Sequence, residues 1–450
     1  MPLMPMPPMP TKWIWVSRLR KIMWRREGEH TGSAGVGSSL EAGLRLARER
    51  LSPISTRRSD VRPDAIAPGV TSRARMIGGI DENHDHRGPQ IAYNRSRMSA
   101  RETALALTRW FAAAQRDLPW RKTRDPYAIW VSEVMLQQTR VDTVEGYYDG
   151  FLRRFPDVES LAAADEDAVL SAWSGLGYYR RARLLHRGAR HVVEALNGEL
   201  PADAVDLRRI PGIGPYTAGA IASIAFDRPE PLVDGNVARV LSRFHAIEDP
   251  AGQDAKARRH WDEVAEIVQH GRPRVLTQAL MELGATVCTP QRPRCEDCPL
   301  QPRCRAHALG RAADIMVTRR KASVRTERYH ALLLRCGDRV LLAKRPEGGL
   351  LAGLWCPPLV PRQGRRRLPT AAAVEQLLGA GVDVRGAASR DVKHVFTHRI
   401  WHLTPCVGGW PRRPRLALEG AAWVPLGGLP VGGVPTVTKK LLGVLEDDGQ

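Results

Sequence analysis

The sequence predicts a multidomain chain: an all-α region over about residues 98–310, then a basic linker, then an α+β domain. Three observations carry this. Apolar residues recur at helical spacing between capping signals from Ser99 to about residue 310. After residue 327 the period changes to short runs broken by Gly and Pro turns. Four cysteines close the helical part in one loop. At 450 residues the chain is long enough to bury two or three separate cores.

Residues 1–97 open on a Met/Pro run and continue with Gly, Ser and Arg and little periodicity, which reads as a disordered basic extension. Inside it, Trp13, Val16, Ile22 and Met23 alternate with Arg and Lys up to Trp24, a pattern suited to a basic amphipathic helix or a transit peptide. Translation starting at Met98 is the alternative. Order is expected from Ser99, where Ser99 and Glu102 form an S-x-x-E capping box ahead of a helix carrying Leu107, Trp110 and Phe111 on one face. Val169, Leu170 and Trp173 mark a helix ended by Gly175. Leu184, Leu185, Val192, Val193 and Leu196 mark another, stopped by Asn197-Gly198. The linker, residues 311–327, contains Arg319, Arg320 and Lys321. Beyond it, His330–Arg335 and Val340–Lys344 read as strands joined at Gly337-Asp338, opening a domain over 328–447.

The net charge of +20 points to a polyanionic partner, most simply nucleic acid. Outside the cysteine loop only Cys336, Cys356 and Cys406 remain, too scattered for a disulfide scaffold, so a reducing cytosol is expected. No apolar run approaches the ~20 residues of a membrane span, and no secretory signal is visible.

Cys288, Cys295, Cys298 and Cys304 follow the spacing C-x6-C-x2-C-x5-C. Structural zinc sites usually pair two C-x2-4-C knuckles across a longer gap. One knuckle flanked by two single cysteines suits an all-cysteine [4Fe–4S] cluster better, with zinc and free or oxidised thiols as the alternatives. Upstream, Ile210-Pro211-Gly212-Ile213-Gly214 lies between two helical segments, with Pro215 placed to open the second. Amides exposed at that helix start suit a DNA phosphate, so the segment reads as a helix-hairpin-helix turn, although such a turn can also be structural. Val233-Asp234-Gly235-Asn236-Val237 offers a carboxylate where a loop meets a helix; plain N-capping is the alternative. Ser132 to Thr139 holds Glu133 among apolar neighbours, where burial would raise its pKa, unless that face is solvated. Gln137, Gln138 and Thr139 could bond bases or phosphates. A protonated Glu133 beside an ionised Asp234 is the pair that glycosidic bond cleavage needs.

These segments, with Leu118-Pro119-Trp120-Arg121 and Gly175-Leu176-Gly177-Tyr178-Tyr179, resemble the adenine DNA glycosylases of the endonuclease III-like helix-hairpin-helix superfamily over about residues 100–447. The resemblance implies a six-helix barrel over about 121–228 and an iron–sulfur module from about 98–120 plus 229–310. One [4Fe–4S] cluster would sit on the four cysteines, and Arg292, Arg294 and Arg303 of that loop would meet the DNA backbone. It implies a monomer, cytoplasmic and nucleoid-associated, acting on double-stranded DNA at adenine opposite 8-oxoguanine or guanine. Adenine would be flipped from the stack. Glu133 is then the acid and Asp234 the carboxylate that stabilises the sugar, or transiently bonds to it, with Asn236 and Tyr216 bonding Asp234. Arg116, Trp120, Arg121 and Gln278 would surround the adenine. Gln138 and Tyr178 would wedge into the stack, and Thr139, Gly212 and Gly214 would contact DNA. Lyase relatives carry a lysine where this chain has Tyr216; tyrosine cannot form an imine, so strand cleavage is expected to be inefficient.

The C-terminal part is similar to the family's Nudix-like domain through Arg345-Pro346 and Gly353-Leu354-Trp355. No G-x5-E-x7-R-E-x2-E-E run for magnesium is present, so lesion recognition rather than pyrophosphatase activity is implied. Phe396-Thr397-His398 matches a Phe-Ser-His loop that contacts 8-oxoguanine, departing from it at Thr397. Cys356 stands where the family tends to have an aromatic residue.

Overall fold

The computed structural model describes residues 98–247, 253–315, 324–362, 364–387 and 390–447, all within one unit spanning Asp85–Gln450. The extension to residue 97, with Trp13–Trp24, and the linker residues Arg319, Arg320 and Lys321 lie outside the described residues.

Local sequence signals set most helix ends. α1 (Ala100–Ala114) starts on the full capping box, with Ser99 and Glu102 each bonding the other's backbone N–H. α2 (Pro126–Leu136) has Pro126 in its first turn, and Asp125 accepts from the backbone of Tyr127 and Ala128. α3 (Val141–Arg154), α4 (Val158–Ala163), α5 (Glu166–Ala172) and α6 (Arg180–Leu196) follow. α6 stops where Asn197 turns left-handed. After the short α7 (Ala204–Leu207), the hairpin turns at Gly212, whose φ is +89°. A Cβ there would sit 2.8 Å from that of Leu184, so glycine is required twice over. α8 (Pro215–Ile224), α9 (Gly235–Phe244), α10 (Gln253–Val268), α11 (Pro273–Glu282) and α12 (Arg305–Ala308) complete the helical part.

These helices build two apolar cores. One gathers Trp130, Phe151, Leu161, Trp173, Leu185 and Ile213. The other gathers Leu107, Phe111, Val240, Val264 and Leu280, with Cys288, Cys298 and Cys304 packed against it. Two helices serve both. α2 gives Trp130 and Val134 to the first core and Ile129 to the second; α8 gives Ile221 to the first and Ile224 to the second. A helix shared in this way must be apolar nearly all round, and nine residues of α2 are buried.

The strand region begins earlier than the sequence suggested. β1 runs Arg325–Cys336, so its first residues fall inside the stretch expected to be linker. They are strand because β1 pairs in parallel with β7 (Arg399–Gly409) from Arg325↔Arg399 onward, and that partner lies far away in sequence. β2 (Arg339–Lys344), β3 (Trp355–Cys356), β4 (Leu359–Pro361), β5 (Asp383–Ala387), β6 (Val392–Val395) and β8 (Ala421–Pro425) complete a sheet ordered β3-β2-β1-β7-β5. β4 pairs with β1, β6 with β7 and β8 with β2. Side chains alternate between two cores: Ala331 and Leu333 pack with Leu441 of α14 (Thr436–Asp447), and Leu332 and Leu334 with Val374 of α13 (Ala371–Leu378).

The two parts are joined by more than the linker. Leu354 belongs to the first helical core. The hydroxyls of Ser174 and Tyr179 both donate to the Val434 carbonyl, at 2.9 and 3.0 Å. Lys344 Nζ lies 2.6 Å from Asp167.

Candidate active site

Between the two helical cores lies a cleft of about 1160 Å³. Its shared wall, α2 and α8, supplies the first chemical group. Glu133 is only 3% exposed, and its Oε2 accepts a 2.6 Å bond from the Tyr216 hydroxyl. Burial pushes the Glu133 carboxyl up to about 7; the charge of Asp234 also raises it, while Tyr216 and Arg121 oppose the rise. Burial, followed by the two carboxylates, drives the Tyr216 phenol well above its usual range, so it stays a donor. Tyr216 was expected to bond Asp234. It bonds Glu133 instead, because it sits in the first turn of α8, which packs on α2.

Asp234 caps α9. It accepts 2.7 Å from the Val237 N–H and 2.8 Å from Asn236 Nδ2. Burial raises its pKa, and these two donors oppose the rise without cancelling it. Capping and a place in the cleft thus coincide in one residue. Behind it, Arg239 ties three segments together. Its Nη2 donates to Asn236 Oδ1 at 2.8 Å and to the Gly284 carbonyl at 2.7 Å, and its Nε donates to the Cys288 carbonyl at 2.8 Å. Gly284 lies so close to Asn236 that an added Cβ would come within 2.6 Å of the Asn236 Cβ.

Arg116, Trp120, Arg121 and Gln278 all line the cleft. Trp120 packs edge-on against Tyr148 with centroids 5.4 Å apart, and Gln278 Nε2 donates to the Arg274 carbonyl at 2.9 Å. The two arginines converge on Glu282, which is 1% exposed: Arg116 Nη2 lies at 2.8 Å and Arg121 Nη2 at 2.7 Å. Burial alone would raise the Glu282 carboxyl, but the bonds from Arg116 and Arg121 outweigh it and bring it down to about 2. Sequence reasoning missed Glu282 and Arg239. A signal for Glu282 existed, since it follows Leu276, Ala279 and Leu280 on an apolar face, as Glu133 does in its own helix.

At the rim, Gln138, Thr139, Gly212 and Gly214 border the cleft, whereas Tyr178 stands beside it, 48% exposed. Gln138 (φ 59°) and Tyr178 (φ 49°) are both left-handed without being glycine. Buried Arg181 holds both loops. Its Nη1 donates to the carbonyls of Val134, Met135 and Gln137 at 2.8, 2.7 and 2.5 Å, and its Nη2 donates to Thr139 Oγ1 and the Gly177 carbonyl at 2.9 and 3.2 Å. Phe396, Thr397 and His398 lie outside the cleft, at the tip between β6 and β7. They meet the helical rim where Thr397 Oγ1 bonds the Tyr178 hydroxyl at 2.7 Å.

Cys288, Cys295, Cys298 and Cys304 border one separate cavity. Among the described residues, no group of three or more His, Cys, Asp or Glu is arranged to hold a metal ion. Four thiols facing a common cavity still present the donor set of a polynuclear iron–sulfur group. Arg243, 1% exposed, donates to Cys288 Sγ at 3.4 Å and to the carbonyls of Thr289 and Pro290 at 2.7 Å each, the kind of cation a cluster of thiolates needs beside it. Of the loop arginines, Arg303 pairs with Glu102 and Arg294 with Asp297, while Arg292 is exposed.

Comparison with known proteins agrees with this order of parts. The HhH-GPD superfamily of base excision DNA repair proteins matches residues 131–265, and the NUDIX domain matches residues 330–443. The adenine DNA glycosylase of Rattus norvegicus is 39% identical over 401 residues, covering 76% of this chain and 77% of the relative. That of Homo sapiens is 36% identical over 467 residues, covering 90% and 83%. Among solved structures, a thermostable thymine-DNA glycosylase is similar at 26% identity and a TM-score of 0.43, over 47% of this chain and 97% of that one. With a carboxylate pair and an arginine-clamped glutamate in a cleft between helical lobes, a Nudix-like sheet beyond them, and adenine DNA glycosylases aligned over most of their length, this chain belongs to the adenine DNA glycosylase family.

Proposed function

We propose that the protein hydrolyses the N-glycosidic bond of adenine opposite 8-oxoguanine or guanine in double-stranded DNA, acting as a monomer and without efficient strand cleavage. The observation that carries the reading is the pairing of two differently held carboxylates in one cleft. Glu133 is pushed up to about 7 by burial, while the rise that burial gives Asp234 is opposed by the Val237 and Asn236 N–H donors. The flipped adenine enters the cleft, where Glu133 gives its proton to a ring nitrogen and the glycosidic bond breaks toward the base. Asp234, left ionised, faces the positive charge that develops on the sugar. The Glu133 carboxylate then takes a proton from the attacking water, which restores the acid. Tyr216 supports Glu133 through its 2.6 Å bond and offers no amine for an imine.

Cys288, Cys295, Cys298 and Cys304 would hold the [4Fe–4S] cluster, which when bound supplies a rigid cross-link of the loop that Arg239 joins to Asn236. Phe396, Thr397 and His398 would read the opposite base. Purified protein should release adenine from duplexes carrying A opposite 8-oxoguanine and A opposite G, and nothing from thymine glycol. No release from the first duplex would end this reading.

A further inference from the structure

A two-residue hairpin tip normally relies on left-handed residues to match the strand twist. Neither Thr397 nor His398 has a positive φ, so turn chemistry does not set this tip. Two backbone bonds flank it: the Phe396 N–H donates to the Arg399 carbonyl at 2.8 Å, and the Arg325 N–H donates to the His398 carbonyl at 3.1 Å. The tip depends further on the side chains below it. Phe396 packs edge-on against Trp401, centroids 5.0 Å apart, and Trp401 is 1% exposed. Trp401 in turn touches Tyr329 at 5.3 Å, with the Arg345 guanidinium 5.2 Å from its centroid.

One carboxylate fastens this stack. Glu327 is the register partner of Trp401 across the β1–β7 pairing. Its Oε2 accepts from Trp401 Nε1 at 2.9 Å and from the Tyr329 hydroxyl at 3.1 Å, and its Oε1 accepts from Arg399 Nη1 at 2.5 Å. Arg399 and Trp401 are the first and third residues of the strand leaving the tip, so one anion holds both. The Glu327 side chain is 15% exposed and Trp401 is buried, so the Glu327–Trp401 bond is shielded from water, while Arg399 is 37% exposed.

We propose that Glu327 is a positioning residue that holds the Phe396–His398 tip in register and thereby sets the preference for 8-oxoguanine over guanine opposite adenine. The inference rests on the reading of that tip as the lesion contact. It concerns only the opposite base, because Glu327 lies outside the cleft that takes the adenine.

The test measures single-turnover adenine release and DNA affinity on A:8-oxoguanine and A:G duplexes, for the wild-type protein and Glu327→Gln. Loss of the charged acceptor should lower the ratio of the two rates, or of the two affinities, by about tenfold. The A:G rate should stay near wild type. Tyr329→Phe, which deletes a single donor, should lower the ratio less and keeps the test open if Glu327→Gln misfolds, as judged by thermal unfolding. An unchanged ratio in the folded variants, or an equal loss on both duplexes, overturns the positioning role. A wild-type protein that releases adenine equally from both duplexes overturns the lesion-contact reading with it. One that releases none overturns the proposed function itself.

Discussion

Glu133→Gln separates the cost of burying the proposed catalytic carboxyl from its use. Glu133 is 3% exposed, and burial raises it from the ordinary 4.5 to about 7. Below the ordinary value both folded and unfolded chains hold the proton, and the group is neutral to stability. As pH rises from 4.5 to 7 the unfolded chain ionises first, so the folded state loses stability over that window and stays lower above it. A shift of this size corresponds to about 3 kcal/mol. The substituted amide keeps an acceptor for Tyr216 and carries no charge, so the variant should melt ~6–12 °C above wild type at about pH 8, and the gap should close toward about pH 5. Thermal unfolding of both proteins across that range is the assay, run beside adenine release, which the variant should lose. A gap that is flat with pH, or that widens toward acid, would refute the burial argument.

Glu282 should behave in the opposite sense. Its folded value of about 2 makes its ionised form stabilising above 4.5, and that contribution is lost as pH falls through 2, so Glu282→Gln should cost about 3 kcal/mol at about pH 7 in the same unfolding assay. Arg239→Gln breaks the link from Cys288 to Asn236 and should slow adenine release by about tenfold or more with little change in DNA affinity, read by single-turnover kinetics and titration. Cys298→Ser should lower iron content and DNA affinity before it lowers the rate at saturating protein. Borohydride should trap less enzyme–DNA adduct than it does with a lysine-bearing relative, because Tyr216 cannot form an imine.

Much of the helical part was legible because its signals are local. The Ser99–Glu102 box, the Asn197 stop and the Gly212–Pro215 turn each act within a few residues, and the structure realises all three. The start of β1 was not legible, because Arg325 becomes strand only by pairing with Arg399. The same limit applies to the site. Glu133 stood out by its apolar neighbours, but its bond to Tyr216 joins residues 83 apart. Glu282 and its two arginines are separated by 161 and 166 positions, so no spacing rule could pair them.

By itself, the sequence determined which groups were available: four closely spaced thiols, two carboxyls in apolar or capping settings, and a tyrosine just after the hairpin glycines. Periodicity and caps are set by neighbours along the chain, so they can be read there. Only the tertiary structure decided the partners. It joined Tyr216 to Glu133 rather than Asp234, set Arg239 between the cysteine loop and Asn236, and brought Thr397 to Tyr178. A pKa or a hydrogen bond depends on what lies within a few ångströms, and that distance is set when the two lobes and the sheet pack together.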